Sequence, residues 1–163
     1  MNSTEYTLDA FDYKILSALR NNGRLTVAQL AETIGLSSSP CWTRLKRLES
    51  LKVIEGYTAT INRKALGIHE LFFIEITLER HDDETLEKFS EILADIPEII
   101  EAHLVTGEYD YLVKVAVKNA EHYERFLRKK LYSIDGIRHT RSIFALRPLK
   151  VENSTELTHF NEI

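Results

Sequence analysis

Two short stretches hold the residues whose types and spacing can do chemistry. The first is SSSPCWTRLKRLESL, residues 37–51. At about 100° per residue, an α-helix gathers Cys41, Leu45 and Leu48 into one apolar stripe. It turns Ser39, Thr43, Lys46, Arg47 and Ser50 the other way, a face with two cations, three hydroxyls and no acid. Such a face suits phosphates and base edges, and Ser38, Ser39, Trp42, Thr43, Lys46 and Arg47 are the candidate DNA contacts. Arg44 lies nearer the stripe, and both a phosphate contact and a pairing within the domain remain open for it. The second stretch is GEYDY, residues 107–111. A zwitterionic amino acid needs acceptors for its ammonium and donors for its carboxylate. Asp110 can supply the former and the backbone N–H groups around Gly107 the latter. Gly107, Glu108, Tyr109, Asp110 and Tyr111 are therefore candidate effector residues, with Thr140 and Ser142 as further candidates from a neighbouring subunit. A plain hairpin turn accounts for the glycine but not for the acid and two tyrosines.

Other residues of chemical type have simpler readings. HDDE (81–84) contains metal-ligand types, yet Asp82 or Asp83 as a helix cap accounts for it, so no metal is assigned. His69, His103, His139 and His159 are scattered without ligand spacing. Cys41, on the apolar stripe, reads as a small buried hydrophobe, and Trp42 as packing at the helix border. The chain has no P-loop, GxSxG, HExxH or GxGxxG, so neither a catalytic residue nor a cofactor is assigned.

The elements that must position these residues fall into two groups. Asp9 can cap a first helix carrying Phe11, Ile15, Ala18 and Leu19, with Gly23 at its stop. Thr26 and Gln29 form a capping box for a second helix that ends at Gly35. Only Gly35, Leu36 and a serine separate it from the third, capped by Ser37 or Ser39: the spacing of a helix-turn-helix. VIEGYTATI (53–61) has the composition of a small hairpin, or wing. Beyond a linker at 63–70, strands at 71–79, 99–106, 111–117 and 137–149 alternate with helices at 83–96 and around Tyr123–Ile134. This is the βαββαβ order of a ferredoxin-like fold. The expected class is α+β, with a winged helix-turn-helix at 1–62, the sheet domain at 71–150 and a poorly ordered tail at 151–163. Apolar residues on both sides of the strands call for a second layer over the open face, and a C2 dimer supplies one.

Charge supports the division. The 163 residues carry a net charge of −4, with nine Lys or Arg against six Asp or Glu in residues 1–66 and twelve against nineteen thereafter. A basic head and an acidic body imply different partners. One cysteine and the lack of a secretory signal imply a cytoplasmic protein, and no apolar run is long enough for a membrane span.

In four stretches, LDAFDYKILSALRNNGR, LAETIGLSSSPCWTRLKRLE, VIEGYTATINRKALG and GEYDYLVKV, the chain resembles the Lrp/AsnC, or feast/famine, family of regulators. The resemblance runs from about Leu8 to Lys150. It implies a transcription regulator that binds double-stranded DNA, dimerises through its sheet and often assembles to octamers. It also implies an amino acid or related small molecule bound where dimers meet. Departures are Ser37-Ser38-Ser39-Pro40-Cys41, where Ser-Pro-x-Pro-Cys is common, and Trp42, where Leu is more usual. The competing reading is an amino-acid-binding module that acts on a protein partner without DNA.

Overall fold

The computed structural model describes residues 7–152 and 154. These divide into two compact units, residues 7–60 with 151, 152 and 154, and residues 61–150.

The first unit is built on α1 (Ala10–Asn21), α2 (Val27–Ile34) and α3 (Ser38–Ser50). Capping boxes start α1, between Asp9 and Asp12, and α2, between Thr26 and Gln29. Each satisfies N–H groups that a helix start leaves without an intrahelical acceptor. Gly35 closes α2 at φ 74°, a left-handed conformation open to glycine at little cost. Ser37 occupies the N-cap position of α3, which decides between the two candidate serines. Pro40 then falls within the first turn, where its missing N–H costs no helical bond. The three apolar stripes meet in a core of Ile15, Leu30, Ala31, Ile34, Cys41, Leu45 and Leu48.

Two local expectations for this unit are corrected. Helix α1 stops at Asn22, which has extended backbone, rather than at Gly23. No strand forms in 53–62, so the hairpin is absent there. Instead, the Tyr57 ring lies beside Gly23, 3.8 Å from where a side chain's first carbon would stand, and its hydroxyl donates to Glu49 at 3.0 Å. An aromatic anchor on the helices takes the place of cross-strand pairing. Of the tail, residues 153 and 155–163 lie outside the described residues, and Glu152 forms an ion pair with Arg20 at 2.6 Å.

The second unit opens with a 3-10 turn at Arg63–Leu66, within the stretch expected to be a linker. It continues through β1 (Glu70–Leu78), α4 (Asp83–Ala94), β2 (Ile99–Leu104), β3 (Tyr111–Val117), α5 (Ala120–Phe126) and β4 (Ile137–Phe144). Helix α5 runs on into a π-helical turn at Leu127–Leu131. The sheet order is β2-β3-β1-β4 with every pair antiparallel, the ferredoxin-like arrangement. Strand β4 ends at Phe144, five residues short of expectation, so Leu146 and Leu149 are exposed outside the sheet.

Alternation puts Ile74, Ile76 and Leu78 of β1 and Tyr111, Val113, Val115 and Val117 of β3 on one face. There they pack with Phe89, Leu93, Tyr123, Phe126 and Leu131 from the helical side. The opposite face carries Leu71, Phe73, Leu112 and Ile143 among two cross-strand ion pairs. These are Glu75 with Arg141 at 3.2 Å and Lys114 with Glu101 at 2.6 Å. Nothing in this unit covers that face.

Candidate DNA-reading helix and effector turn

Helix α3 buries Cys41, Leu45 and Leu48 and leaves Ser38, Ser39, Trp42, Thr43, Lys46 and Arg47 exposed. The helical phase read from the sequence therefore holds. Trp42 is 52% exposed, which corrects the expectation that it packs at the helix border. Burial pushes the Cys41 thiol up, away from the reactive thiolate.

The cations on this helix are not equivalent. Lys46 pairs with Glu49 at 2.7 Å, and Glu49 also accepts from Tyr57. The Lys46 ammonium holds the Glu49 carboxyl below its usual range, with the Tyr57 hydroxyl adding to the effect. Arg44, half-buried, joins Asp9 at 2.6 Å and Asp12 at 2.9 Å, so its guanidinium is held inside the domain. The Arg44 bond is the leading cause that depresses the Asp9 carboxyl. Arg47 reaches Asp12 at 3.0 Å and the Thr7 carbonyl at 3.1 Å.

Asp12 was not among the candidate residues. It is fully buried, the only buried charged or polar side chain among the described residues. The signal was present: Asp12, Ile15 and Leu19 share a helical face, so an acid stood where an apolar residue was expected.

The effector candidates scatter more. Gly107 and Glu108 are exposed, Tyr109 is half-buried, and Gly107 adopts φ 132°. Tyr111 is 2% exposed, with its hydroxyl donating to the Leu86 carbonyl at 2.8 Å and 3.1 Å from Ser90 Oγ. It belongs to the core, and its effector role is withdrawn. Asp110 is more enclosed than an exposed turn residue, with its side chain 19% accessible. Its Oδ2 accepts from the Leu78 N–H at 2.7 Å, and His81 Nε2 lies within 3.1 Å of both carboxylate oxygens. Thr140 and Ser142 stand on β4, across β1 from the Asp110 side, and Ser142 Oγ accepts from the Tyr123 hydroxyl at 2.5 Å. Asp82, not Asp83, caps α4, accepting from Thr85 N–H. The Thr85 hydroxyl, which donates to the same carboxylate at 2.7 Å, is the leading cause keeping the Asp82 carboxyl low, and the N–H bond adds to it.

Comparison with known proteins agrees with this two-part layout. Residues 8–55 match the winged helix-turn-helix DNA-binding model, and residues 71–155 match the Lrp/AsnC ligand binding domain. The chain belongs to the Lrp/AsnC family. This Lrp/AsnC regulator is 38% identical to the proline dehydrogenase transcriptional activator of Rhizobium radiobacter over 143 residues, 88% of this chain and 92% of that one. It is 37% identical to the leucine-responsive regulatory protein of Escherichia coli K12 over 146 residues, 90% of this chain and 89% of that one. Among solved structures, a Neisseria meningitidis transcriptional regulator in complex with L-Met superposes with a TM-score of 0.89 at 33% identity. The match covers 94% of this chain and 99% of that one. E. coli AsnC gives 0.83 at 27%, covering 91% and 99%. The chain is thus a transcription regulator with a helix-turn-helix head and a ligand-binding domain. No helix among the described residues is long and apolar enough to cross a membrane.

Proposed function

We propose that α3 lies in the major groove of double-stranded DNA, with Ser38, Ser39, Trp42 and Thr43 toward base edges and Lys46 and Arg47 toward phosphates. The exposed face of α3 carries this reading: it joins hydroxyls, an aromatic ring and cations on the second helix after a tight turn. Arg44 is omitted because Asp9 and Asp12 hold it. The protein acts in the cytoplasm as a non-catalytic regulator. Its sheet domains pair through the uncovered face bearing Leu71, Phe73, Leu112 and Ile143, and dimers associate further. An amino acid, bound near Gly107–Asp110, adjusts that assembly and with it the spacing of the DNA-reading heads. The L-Met complex of the Neisseria relative supports this ligand class.

The test is binding to a duplex obtained by in vitro selection on the parent protein, titrated with salt. Replacing Lys46 and Arg47 with Ala should flatten the slope of log K against log salt by about 0.9 per lost phosphate contact. An unchanged slope and affinity would remove the helix from the interface.

A further inference from the structure

We propose that Asp12 is the positioning residue of the DNA-reading helix: by holding Arg44 and Arg47 together, it trades non-specific attraction to phosphate for a fixed presentation of α3. The inference rests on the reading that the outer face of α3 meets DNA.

Asp12 sits on the first helix and both arginines on the third, one turn apart. Its Oδ1 takes Arg44 Nη1 at 2.9 Å, and its Oδ2 takes Arg47 Nη1 at 3.0 Å and the Asp9 N–H at 3.1 Å. Further contacts hold each guanidinium. Arg44 lies 5.6 Å from the Phe11 ring centroid and bonds Asp9, and Arg47 bonds the Thr7 carbonyl. A buried carboxylate requires such partners, since an unpaired charge away from water is costly. Two attachments one turn apart also fix the rotation of α3 about its own axis relative to α1. Arg47, with 45% of its side chain accessible, links this buried acid to the exposed face. The same bonds keep Arg44 from phosphate and restrict where Arg47 can meet one.

Asp12→Asn keeps the shape and an oxygen for the Asp9 N–H but removes the charge that holds the arginines. Binding is measured with the full-length protein on the selected duplex and on a random-sequence duplex of equal length, across a salt series, with the folded fraction checked by circular dichroism. The variant should lower the selected-to-random affinity ratio at least about tenfold, the equivalent of losing one charged hydrogen bond. It should also steepen the salt slope on random DNA by up to about 0.9, the contribution of Arg44, which the parent holds away from phosphate. An equal loss on both duplexes, which a merely structural role would produce, overturns the proposal; so does either change without the other. If Asp12→Asn does not fold, Arg47→Lys decides, because it keeps the charge but cannot bridge Asp12 and Thr7. A tenfold lower ratio then supports the proposal and an unchanged ratio overturns it. Lys46→Ala, at the residue paired with Glu49, separates the two readings. A flattened slope there with Asp12→Asn unchanged overturns the positioning role alone, whereas an unchanged slope removes the DNA face and the positioning role with it.

Discussion

Replacing Asp110 with Ala tests what the effector turn holds together. As a residue of an exposed turn, Asp110 would be expected to tolerate substitution within about 0.5 kcal/mol. The structure predicts a larger loss. Its Oδ2 is 2.7 Å from the N–H of Leu78, a residue only 1% exposed. Alanine strands that buried donor, at a cost of about 1 to 3 kcal/mol. The second partner, His81, has 55% of its side chain accessible, and an exposed pair adds little. The expected loss is therefore about 2 kcal/mol for Asp110→Ala, and about half that for Asp110→Asn, whose amide oxygen can still accept. The assay is urea unfolding at one protein concentration, with assembly size followed by light scattering, because association adds to apparent stability. An Asp110→Ala variant within 0.5 kcal/mol of the parent would refute the reasoning. Asp110→Asn is consequently the better probe of the effector. Removing the charge from an ammonium contact should weaken amino-acid binding about ten- to hundredfold, measured by calorimetry.

Three further outcomes are expected. Leu45→Ala should destabilise the helix-turn-helix unit by about 2 to 5 kcal/mol in chemical unfolding, and parent-like stability would contradict the burial of its stripe. Burial first, and then the Glu49 carboxylate, push the Tyr57 phenol up to about 12. Its contribution to stability is therefore intact below the ordinary tyrosine range and is lost as pH rises through about 12. A tyrosinate difference titration of parent against Tyr57→Phe should show one late step, and Glu49→Gln should move it only part-way back. Burial raises the Glu98 carboxyl, but two hydrogen bonds from Lys130 and other contacts outweigh this and leave it net lowered. The Glu98 contribution is accordingly present above the ordinary glutamate range and lost as pH falls through the depressed value. Parent and Glu98→Gln should differ by about 1.5 kcal/mol at neutral pH and converge in acid.

What could be read in the sequence was mostly what repeats along it. The spacing of Cys41, Leu45 and Leu48 gave the buried side of α3, and Thr26 with Gln29 marked the start of α2. The alternation in YLVKVAV gave β3 at its observed limits. The same alternation places Tyr111, the first residue of that strand, inward with Val113 and Val115. Grouping it with the turn residues obscured that. Contacts between distant segments were not legible. The composition of VIEGYTATI favours strand, but Tyr57 binds Glu49 and lies beside Gly23, outweighing that local preference. The side-chain and backbone partners of Asp110 and the arginine partners of Asp12 likewise come from other elements, 29 to 35 residues away in sequence.

The return of Glu152 to Arg20 has a consequence for the order in which the molecule is made. All seven core residues of the helix-turn-helix lie between Ile15 and Leu48, so that core can close while the sheet domain is still being synthesised. Its clasp, 132 residues further along, emerges only after β4. The nascent chain can thus carry a head with its core closed but this pair unmade until residue 152 emerges. Emergence of residue 152 is what adds this tie, and a chain released before it would never acquire it.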